Sequence, residues 1–458
     1  MPSRSQAIEY YHANQNSAFE ALKQLVAIPS VSTDPAHKAD IHNAAKWLAQ
    51  RLTSIGMEHV TVYETAGHPI VYGDWLKASG APTLLIYGHY DVQPPEPLEL
   101  WKSDPFKAEQ RGDCLYARGA SDMKGQVMAS ITAVEAALKQ GSLPVNVKFV
   151  IEGEEEVGSP HLAAFLDQND QLLKCDVCLN PDAGMVAENV PTIVYALRGL
   201  AYFELKVIGP ERDVHSGLFG GVVPNPANIL CELIAGMHDS QGHITLPGFY
   251  DRVQSLDKAE RQALAKLPIT DEDYLRQTGA KGLVGEAGYT AIERVGARPT
   301  LDVNGMISGF TGKGSKTIIP SWAMAKISMR LVPFQKPAEV HQQLVRYCEE
   351  HAPDSITWEV NLLSSGPACI ADRNHPAAQA LARALETTWN VAPVYKREGG
   401  SVPIVADMQR ILNAPSVLTG FGLPDDAIHG PNERLHLPTW YRGIEALIHF
   451  LYNYAEKP

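Results

Sequence analysis

The sequence predicts an α/β fold in which helices cover both faces of a sheet, with a second, α+β domain inserted into it. Short apolar runs of strand length lie at residues 83–87, 145–151 and 177–179, and segments with helical spacing of apolar residues lie at 41–55 and 127–138. Strands that alternate with helices favour a sheet covered on both faces. A chain of 458 residues is also too long for one ordinary core, so two domains are expected.

Each element is justified by its local pattern. Apolar residues recur at helical spacing from Ile41 to Ile55, where Gly56 ends the run, and again between Gly125 and Gly141, so both segments are predicted to be amphipathic helices. The pattern changes near Arg198. The elements predicted beyond it are two strands, a helix at 226–237, helices and loops over 254–278, strands at 317–319 and 323–331, and a helix at 339–350.

From about Pro376 the first pattern resumes. We therefore predict a first domain formed by residues 1–199 and 368–458, interrupted by an inserted domain over residues 200–367.

The bulk composition narrows the class of protein. A net charge of -13 without a long basic run argues against nucleic acid or anionic membrane as a partner. The amino-terminal segment lacks the apolar stretch of a signal peptide, and no window approaches the roughly 18 apolar residues of a membrane span. Six scattered cysteines suit reduced thiols, so a cytoplasmic location is expected. Cys175 and Cys178 form a single CxxC, which favours packing thiols over a zinc or redox site.

Polar motifs follow the three strand-like runs directly. Gly-His-Tyr-Asp occupies 88–91, Glu-Gly-Glu-Glu-Glu occupies 152–156, and Asn-Pro-Asp occupies 180–182. In open α/β sheets, sites gather outside the carboxyl ends of strands, so these side chains are expected to converge. The segments 121–125 and 428–433 add a further carboxylate and a further imidazole.

These residue types are those of a hydrolytic site that holds two divalent metal ions. The candidate ligands are His89, Asp122, Glu156, Asp182 and His429. Their three carboxylates against two divalent ions leave one net positive charge, which stabilises a developing oxyanion. Asp91 lies two residues after His89 and could accept the second imidazole N–H, which would fix the tautomer.

Each motif alone also has a plainer interpretation. A histidine at a strand end is more often structural, the run at 152–156 could be a solvated acidic loop, and Asp122 could cap the helix after Gly125. The residues alone do not separate Glu154, Glu155 and Glu156 as ligand and base. The joint order of the motifs favours the site.

Together the motifs resemble those of the cocatalytic metallopeptidase family that includes carnosinase-type dipeptidases, aminoacylases, acetylornithine deacetylase and glutamate-type carboxypeptidases. They are most similar to the branch of cytosolic non-specific dipeptidases and carnosinases. The matching segments are residues 28–32, 88–94, 212–217, 314–320 and 397–403. One departure is Met123, where that branch usually has a second aspartate.

The resemblance implies a zinc-peptidase-like catalytic domain with a mixed sheet and an inserted lid and dimerisation domain. It implies two divalent metal ions per subunit, with zinc as the first candidate and manganese or cobalt as alternatives. His89 and Asp182 would hold one ion, Glu156 and His429 the other, and Asp122 would bridge them. Glu155 would be the general base that activates the attacking water and then protonates the leaving amine.

The resemblance also implies roles for the inserted domain and for a late glycine-rich segment. His215 would stabilise the oxyanion at the site of the neighbouring subunit of a homodimer. Arg330 would bind the C-terminal carboxylate of the substrate, and Thr317 is a further candidate for that contact. The proposed backbone wall of the substrate site consists of Gly399, Gly400 and Ser401, where close approach leaves no room for a Cβ.

The expected activity is metal-dependent hydrolysis of dipeptides or short peptides that have a free C-terminal carboxylate. An alternative is an N-acyl amino acid deacylase that uses the same metal centre. A binding-only relative is a third hypothesis, which the loss of a ligand or of the base would favour. The expected partners are a small peptide substrate and a second copy of the chain.

Overall fold

The computed structural model describes residues 3–400 and 402–456. The chain divides into two compact units, one formed by Met1–Tyr195, Ala371–Lys396 and Ile404–Pro458, the other by Ala196–Ile370 and Arg397–Pro403. The short segment 397–403 thus belongs with the second unit, whereas the predicted domain ranges assigned it to the first. In that unit Arg397 lies 2.6 Å from Glu260. The catalytic and lid roles of the two domains stay a prediction.

The helices and strands follow one another in a mixed order. The helices are α1 (Arg4–Ala13), α2 (Gln15–Val26), α3 (Lys38–Ile55), α4 (Lys124–Leu138), α5 (Leu162–Gln168), α6 (Asp170–Leu173), α7 (Ser216–Phe219), α8 (Pro226–Gly236), α9 (Lys258–Leu264), α10 (Asp271–Thr278), α11 (Ala291–Ala297), α12 (Pro337–His351), α13 (Pro376–Trp389), α14 (Pro403–Ile411) and α15 (Leu437–Ala455). The strands are β1 (Glu58–Tyr63), β2 (Ile70–Trp75), β3 (Thr83–His89), β4 (Glu109–Arg111), β5 (Cys114–Tyr116), β6 (Asn146–Glu152), β7 (Val177–Asn180), β8 (Thr192–Leu197), β9 (Gly199–Ile208), β10 (Val214–His215), β11 (Thr300–Ser308), β12 (Ile318–Ile319), β13 (Trp322–Leu331), β14 (Thr357–Gly366), β15 (Cys369–Ile370), β16 (Val394–Glu398), β17 (Ser416–Leu418) and β18 (Arg434–His436).

The first unit is built on a mixed sheet whose strands run in the order β1-β2-β6-β3-β7-β17-β8. β3 is parallel to β6 and β7, and β17 is parallel to β7, whereas β2 is antiparallel to β1 and β6. All of β2, and all but the first residue of β3 and of β6, are buried. Because successive side chains of a strand point to opposite faces, both faces of the sheet are covered. The predicted fold class is confirmed.

Helix α4 differs from the amphipathic helix predicted over 127–138. It is buried on nearly every side, from Lys124 through Val134 and again at Ala136 and Ala137. The reason is its position, because α4 packs on β3 and also against α15, α1 and α2. Trp440 of α15 donates a 2.7 Å hydrogen bond to the carbonyl oxygen of Gly125, which ties the start of α4 to α15.

The second unit contains an antiparallel sheet in the order β11-β13-β9-β14. Its central strands β9 and β13 alternate buried and partly exposed residues, so one face packs into a core. Helices α8 and α12 contact these strands and close that core. Among the described helices, none combines the length and apolar character needed to cross a bilayer.

Candidate metal centre

Three neighbouring parallel strands bring candidate side chains to one edge of the first unit's sheet. His89 is the last residue of β3 and lies opposite Glu152, the last residue of β6. Asp182 follows the end of β7 by two residues, and its backbone N–H donates to the side-chain oxygen of Asn180 at 2.8 Å. Since β3 is parallel to both β6 and β7, the carboxyl ends of the three strands meet at this edge.

Two groups of potential metal ligands converge there and share Asp122. One group is His89, Asp122 and Asp182; the other is Asp122, Glu156 and His429; in each, the donor atoms lie within 4.8 Å of one another. Asp122 Oδ1 lies 3.2 Å from His89 Nε2, and its Oδ2 lies 2.9 Å from His429 Nε2. Asp122 therefore presents one oxygen to each group, as a bridging carboxylate does. Imidazole nitrogens and carboxylate oxygens in this number fit two divalent ions.

The buried carboxylate of Glu433 fixes the turn that carries Asp122. It accepts hydrogen bonds from the backbone N–H groups of Gly119, Ser121 and Asp122 at 2.9–3.1 Å. Arg118 Nη1 donates a fourth hydrogen bond to it at 2.7 Å. The peptide bond after Asp122 is cis, and α4 begins at Lys124 without a side-chain cap. Asp122 is thus not the cap of α4, and its carboxylate is left to face the two histidines.

The three consecutive glutamates have different surroundings. Glu154 turns away from both ligand groups, since its carboxylate accepts from the backbone N–H of His68 at 3.1 Å and lies 2.9 Å from His161 Nδ1. Glu156 Oε2 lies 3.3 Å from His429 Nε2, and Gln93 Nε2 donates to the same oxygen at 2.8 Å. Glu155 belongs to neither ligand group. The geometry therefore distinguishes Glu156, a member of a candidate ligand group, from Glu155, whose carboxylate belongs to neither group.

Asp91 holds the loop of these glutamates. Its two carboxylate oxygens accept from the backbone N–H groups of Glu155 and Glu156 at 3.2 and 3.1 Å. His89 Nδ1 lies 3.1 Å from the carbonyl oxygen of Asp91 and 3.4 Å from its carboxylate. A proton on Nδ1 leaves Nε2 with a lone pair toward Asp122 and Asp182, which is the form a metal ligand needs.

The carboxylates of this cluster lie close enough to shift one another's pKa values. Burial, and after it the charges of Asp182 and Glu156, raise the pKa of Glu155 to about 9, although His89 opposes the shift. Burial and the charges of Asp122 and Glu156 raise the pKa of Asp182 to about 7, against the opposing effect of His89. The crowding of carboxylates thus disfavours their charged forms, and bound cations would relieve it.

Asp122 and His429, in contrast, have pKa values shifted toward their charged forms. Burial would raise the pKa of Asp122, but hydrogen bonds with His429 and His89 outweigh it and hold that pKa well below its usual range. Hydrogen bonds with Asp122 and Glu156 raise the pKa of His429 to about 10. Asp122 and His429 therefore favour each other's charged forms.

The candidate residues of the insert lie in the second unit. His215 ends β10 and is exposed, and its Nδ1 accepts a 2.9 Å hydrogen bond from the backbone N–H of Gly217. A neutral imidazole that accepts at Nδ1 carries its proton on Nε2. Thr317 lies beside this turn, because its carbonyl oxygen accepts from the backbone N–H of Ser216 at 3.1 Å. The neutral His215 therefore has an N–H available to an oxyanion.

Arg330 lines a cavity of about 740 Å³ within the second unit, together with Arg198. Arg198 donates from Nε to the carbonyl oxygen of Gly399 at 3.0 Å. A Cβ on Gly399 would stand 2.7 Å from Val295 and 3.1 Å from Arg198, so only glycine fits without a shift, whereas Gly400 has open space around it. Ser401, the third member of the predicted wall, lies outside the described residues.

Several supporting residues were not singled out from the sequence. Gln93, Arg118 and Glu433 fix the ligand loops through the hydrogen bonds described above, and Arg198 accompanies Arg330. Glu433 and Gln93 stand within motifs that also contain a ligand, four residues after His429 and His89 respectively. That proximity is the signal that was available, although it does not say which backbone groups they would bind.

The chain is similar to known proteins over most of its length. A family model described as Peptidase family M20/M25/M40 matches residues 85–453. The chain is 30% identical over 459 residues to the "Cys-Gly metallodipeptidase DUG1" of Candida albicans, covering 95% of this chain and 94% of the relative. It is 30% identical over 470 residues to the human "Beta-Ala-His dipeptidase", covering 98% and 92%.

A solved structure is similar as well. The M20 family metallo-carboxypeptidase Sso-CP2 from Sulfolobus solfataricus superposes with a TM-score of 0.84 at 32% identity, covering 96% of this chain and 99% of that one. The predicted fold class and the predicted metallopeptidase class are confirmed by these matches. The chain belongs to peptidase family M20/M25/M40.

Proposed function

We propose that this protein is a cytoplasmic metallo-dipeptidase that hydrolyses dipeptides or short peptides with a free C-terminal carboxylate. The observation that carries the proposal is the membership of Asp122 in both ligand groups, since a shared carboxylate is what a two-metal hydrolytic site requires. The relatives named Cys-Gly metallodipeptidase and Beta-Ala-His dipeptidase support a dipeptide substrate.

His89 and Asp182 would hold one divalent ion and Glu156 and His429 the other, with Asp122 between them. Zinc is the first candidate for these ions, and manganese or cobalt are alternatives. When bound, the two ions supply Lewis acidity to the scissile carbonyl and to the attacking water. The chain's own side chains would transfer the proton, stabilise the oxyanion and bind the substrate.

Glu155 is the proposed proton carrier. Its carboxylate accepts a proton from the attacking water and later delivers it to the nitrogen of the leaving amine. Asp91 holds the backbone of Glu155 through a hydrogen bond to its N–H, so the carboxylate is aimed without itself being bound.

The proposed role of His215 depends on the proposed homodimer. We expect two chains to pair through the inserted domain, and we expect His215 of each to serve the site of its partner. The Nε2 proton of neutral His215 would donate to the developing oxyanion, because Nδ1 is engaged by Gly217. Thr317 beside the same turn could contact the substrate carboxylate.

Arg330 is the proposed clamp for the C-terminal carboxylate, since a planar guanidinium can bind a carboxylate with two hydrogen bonds. The backbone at Gly399, Gly400 and Ser401 would line the site that binds this substrate. Replacing Arg330 with alanine should raise KM for dipeptides about 10–100-fold, the usual value of a lost hydrogen bond to a charged group. Steady-state kinetics on dipeptides and on their C-terminal amides would measure this effect.

The wild-type enzyme should cleave the free dipeptides much faster than the amides, and Arg330→Ala should narrow that gap. Arg276→Ala removes an exposed guanidinium of the same unit, paired on the surface with Asp273, and should leave both rates unchanged. Equal rates on amides and free dipeptides, with Arg330→Ala indistinguishable from wild type, would refute the clamp. Faster turnover of N-acetyl amino acids than of any dipeptide would favour the deacylase instead.

A further inference from the structure

Two thiols face each other where the chain enters strand β7. Cys175 and Cys178 place their sulfur atoms 3.7 Å apart. Cys178 is completely buried within β7, whereas Cys175 precedes the strand and is only half-buried. Neither sulfur belongs to the ligand groups around Asp122. The pair therefore combines one thiol that solvent can reach with a second thiol directly behind it.

A buried ammonium group accompanies the pair. Lys148 of β6 is only 6% exposed, and its Nζ donates to the carbonyl oxygens of Leu172 and Lys174 at 2.5 and 2.8 Å. These carbonyls belong to the residues three and one positions before Cys175, so the positive charge is held near that thiol. A positive neighbour favours the thiolate, which is the nucleophilic form of cysteine.

The two thiols are consequently unequal. The hydrogen bond from Cys178 and the charge of Lys148 lower the pKa of Cys175, against the opposing effects of burial and of Asp176. The same hydrogen bond, together with burial, raises the pKa of Cys178. A partly exposed thiol with a lowered pKa beside a protonated thiol is the arrangement that thiol–disulfide exchange uses.

We propose that Cys175 and Cys178 form a reversible intramolecular disulfide by exchange with small-molecule disulfides, with Cys175 as the attacking thiol and Cys178 as the resolving thiol. The 3.7 Å separation means that a modest side-chain movement brings the sulfurs to the bonding distance of about 2.05 Å. This makes the CxxC a modification site, where its spacing alone favoured packing thiols. The inference does not depend on the proposed peptidase function.

The exchange balances in two steps. The Cys175 thiolate attacks one sulfur of the disulfide RSSR, which forms a bond to one SR group and expels the other as a thiolate that takes up the proton lost by Cys175. Cys178 then loses its proton and attacks the sulfur of Cys175, and the second SR group leaves and takes that proton. Two protein thiols are oxidised to one disulfide, and one RSSR is reduced to two RSH.

Glutathione disulfide is a suitable probe for the folded, full-length protein. After incubation, the protein is unfolded, the remaining thiols are blocked with iodoacetamide, and trypsin releases residues 175–198 as one peptide containing both cysteines. We expect neither cysteine of this peptide to be alkylated. Its mass should be that of the reduced, unalkylated peptide less two hydrogen atoms. Exposed Cys231 is the internal control and should only gain a glutathione group.

Two substitutions locate the roles of the sulfurs. Cys178→Ser should stop the reaction at the first step, so the peptide should retain one glutathione on Cys175. Cys175→Ser should leave the buried Cys178 unmodified. If Cys175 and Cys178 of the wild-type protein both remain alkylatable after Cys231 has reacted, the proposal is wrong, and this result does not depend on any variant folding.

Discussion

Replacing Glu155 with glutamine should reduce kcat for a dipeptide by about 10²–10⁴-fold, the contribution expected of a general base. The amide keeps the size of the side chain but cannot accept the proton of the attacking water. The backbone N–H of Glu155 still donates to Asp91, so the loop should keep its position. Metal content, measured by mass spectrometry on the purified protein, should therefore stay near the wild-type value.

The neighbouring glutamates supply matched controls for this substitution. Glu156→Gln removes a carboxylate that lies 3.3 Å from His429 and should lower the metal content as well as the activity. Glu154→Gln alters a carboxylate bound to His68 and His161, away from both ligand groups, and should affect catalysis least. If Glu155→Gln lost a metal ion while Glu156→Gln kept both, the roles assigned to the two residues would have to be exchanged: Glu155 would be the ligand and Glu156 the base.

Replacing His215 with alanine should lower kcat by about 10²–10³-fold, or about 2.7–4 kcal/mol of transition-state stabilisation, as for other oxyanion donors. The expectation rests on the engaged Nδ1, which leaves the Nε2 proton for the substrate. His215→Asn would restore an N–H donor at a shorter reach and should recover only part of the loss. Thermal unfolding of each variant should match wild type, because the His215 side chain is exposed.

Mixed dimers test whether His215 acts across a subunit interface. Glu155→Gln and His215→Ala homodimers should each be nearly inactive. In a mixed dimer, the site with intact Glu155 receives His215 from the Glu155→Gln chain and should work, while the other site lacks both groups. Co-refolding the two variants should therefore restore activity, up to one working site per mixed dimer. Mixed dimers that form but remain inactive would show that His215 does not act in trans.

The placement of the candidate metal ligands followed from the sequence where they lie at the ends of buried strands. His89 ends one buried strand and Asp182 follows another by two residues, and because those strands are parallel neighbours, their carboxyl ends had to meet. Asp122 and His429 lie on loops, and no periodicity predicts where a loop returns. Their convergence depends on distant partners such as Glu433, which holds the Asp122 turn from more than 300 residues away in the sequence.

The remaining differences between the sequence-based predictions and the structure also have physical causes. The edge strands β11 and β14 of the second unit were not predicted, although Trp358, Val360 and Leu362 alternate with polar residues in β14. Most residues of both strands are exposed, so the apolar alternation is short. The burial of α4 on nearly every side depends on helices α1, α2 and α15, which local spacing does not reveal. The distinction among Glu154, Glu155 and Glu156 depends on which carboxylate meets His161 and which meets His429, a matter of tertiary contacts.

Peptide hydrolysis is proposed to require two ions joined through Asp122. The most direct measurement removes all metal with a chelator and then follows dipeptide hydrolysis and bound metal together during titration with zinc, manganese or cobalt. Activity should vanish with the metal and return in full only as binding approaches two ions per chain, and Asp122→Asn should prevent that recovery. Full turnover by metal-free protein in excess chelator, or complete recovery with a single bound ion, would contradict the claim.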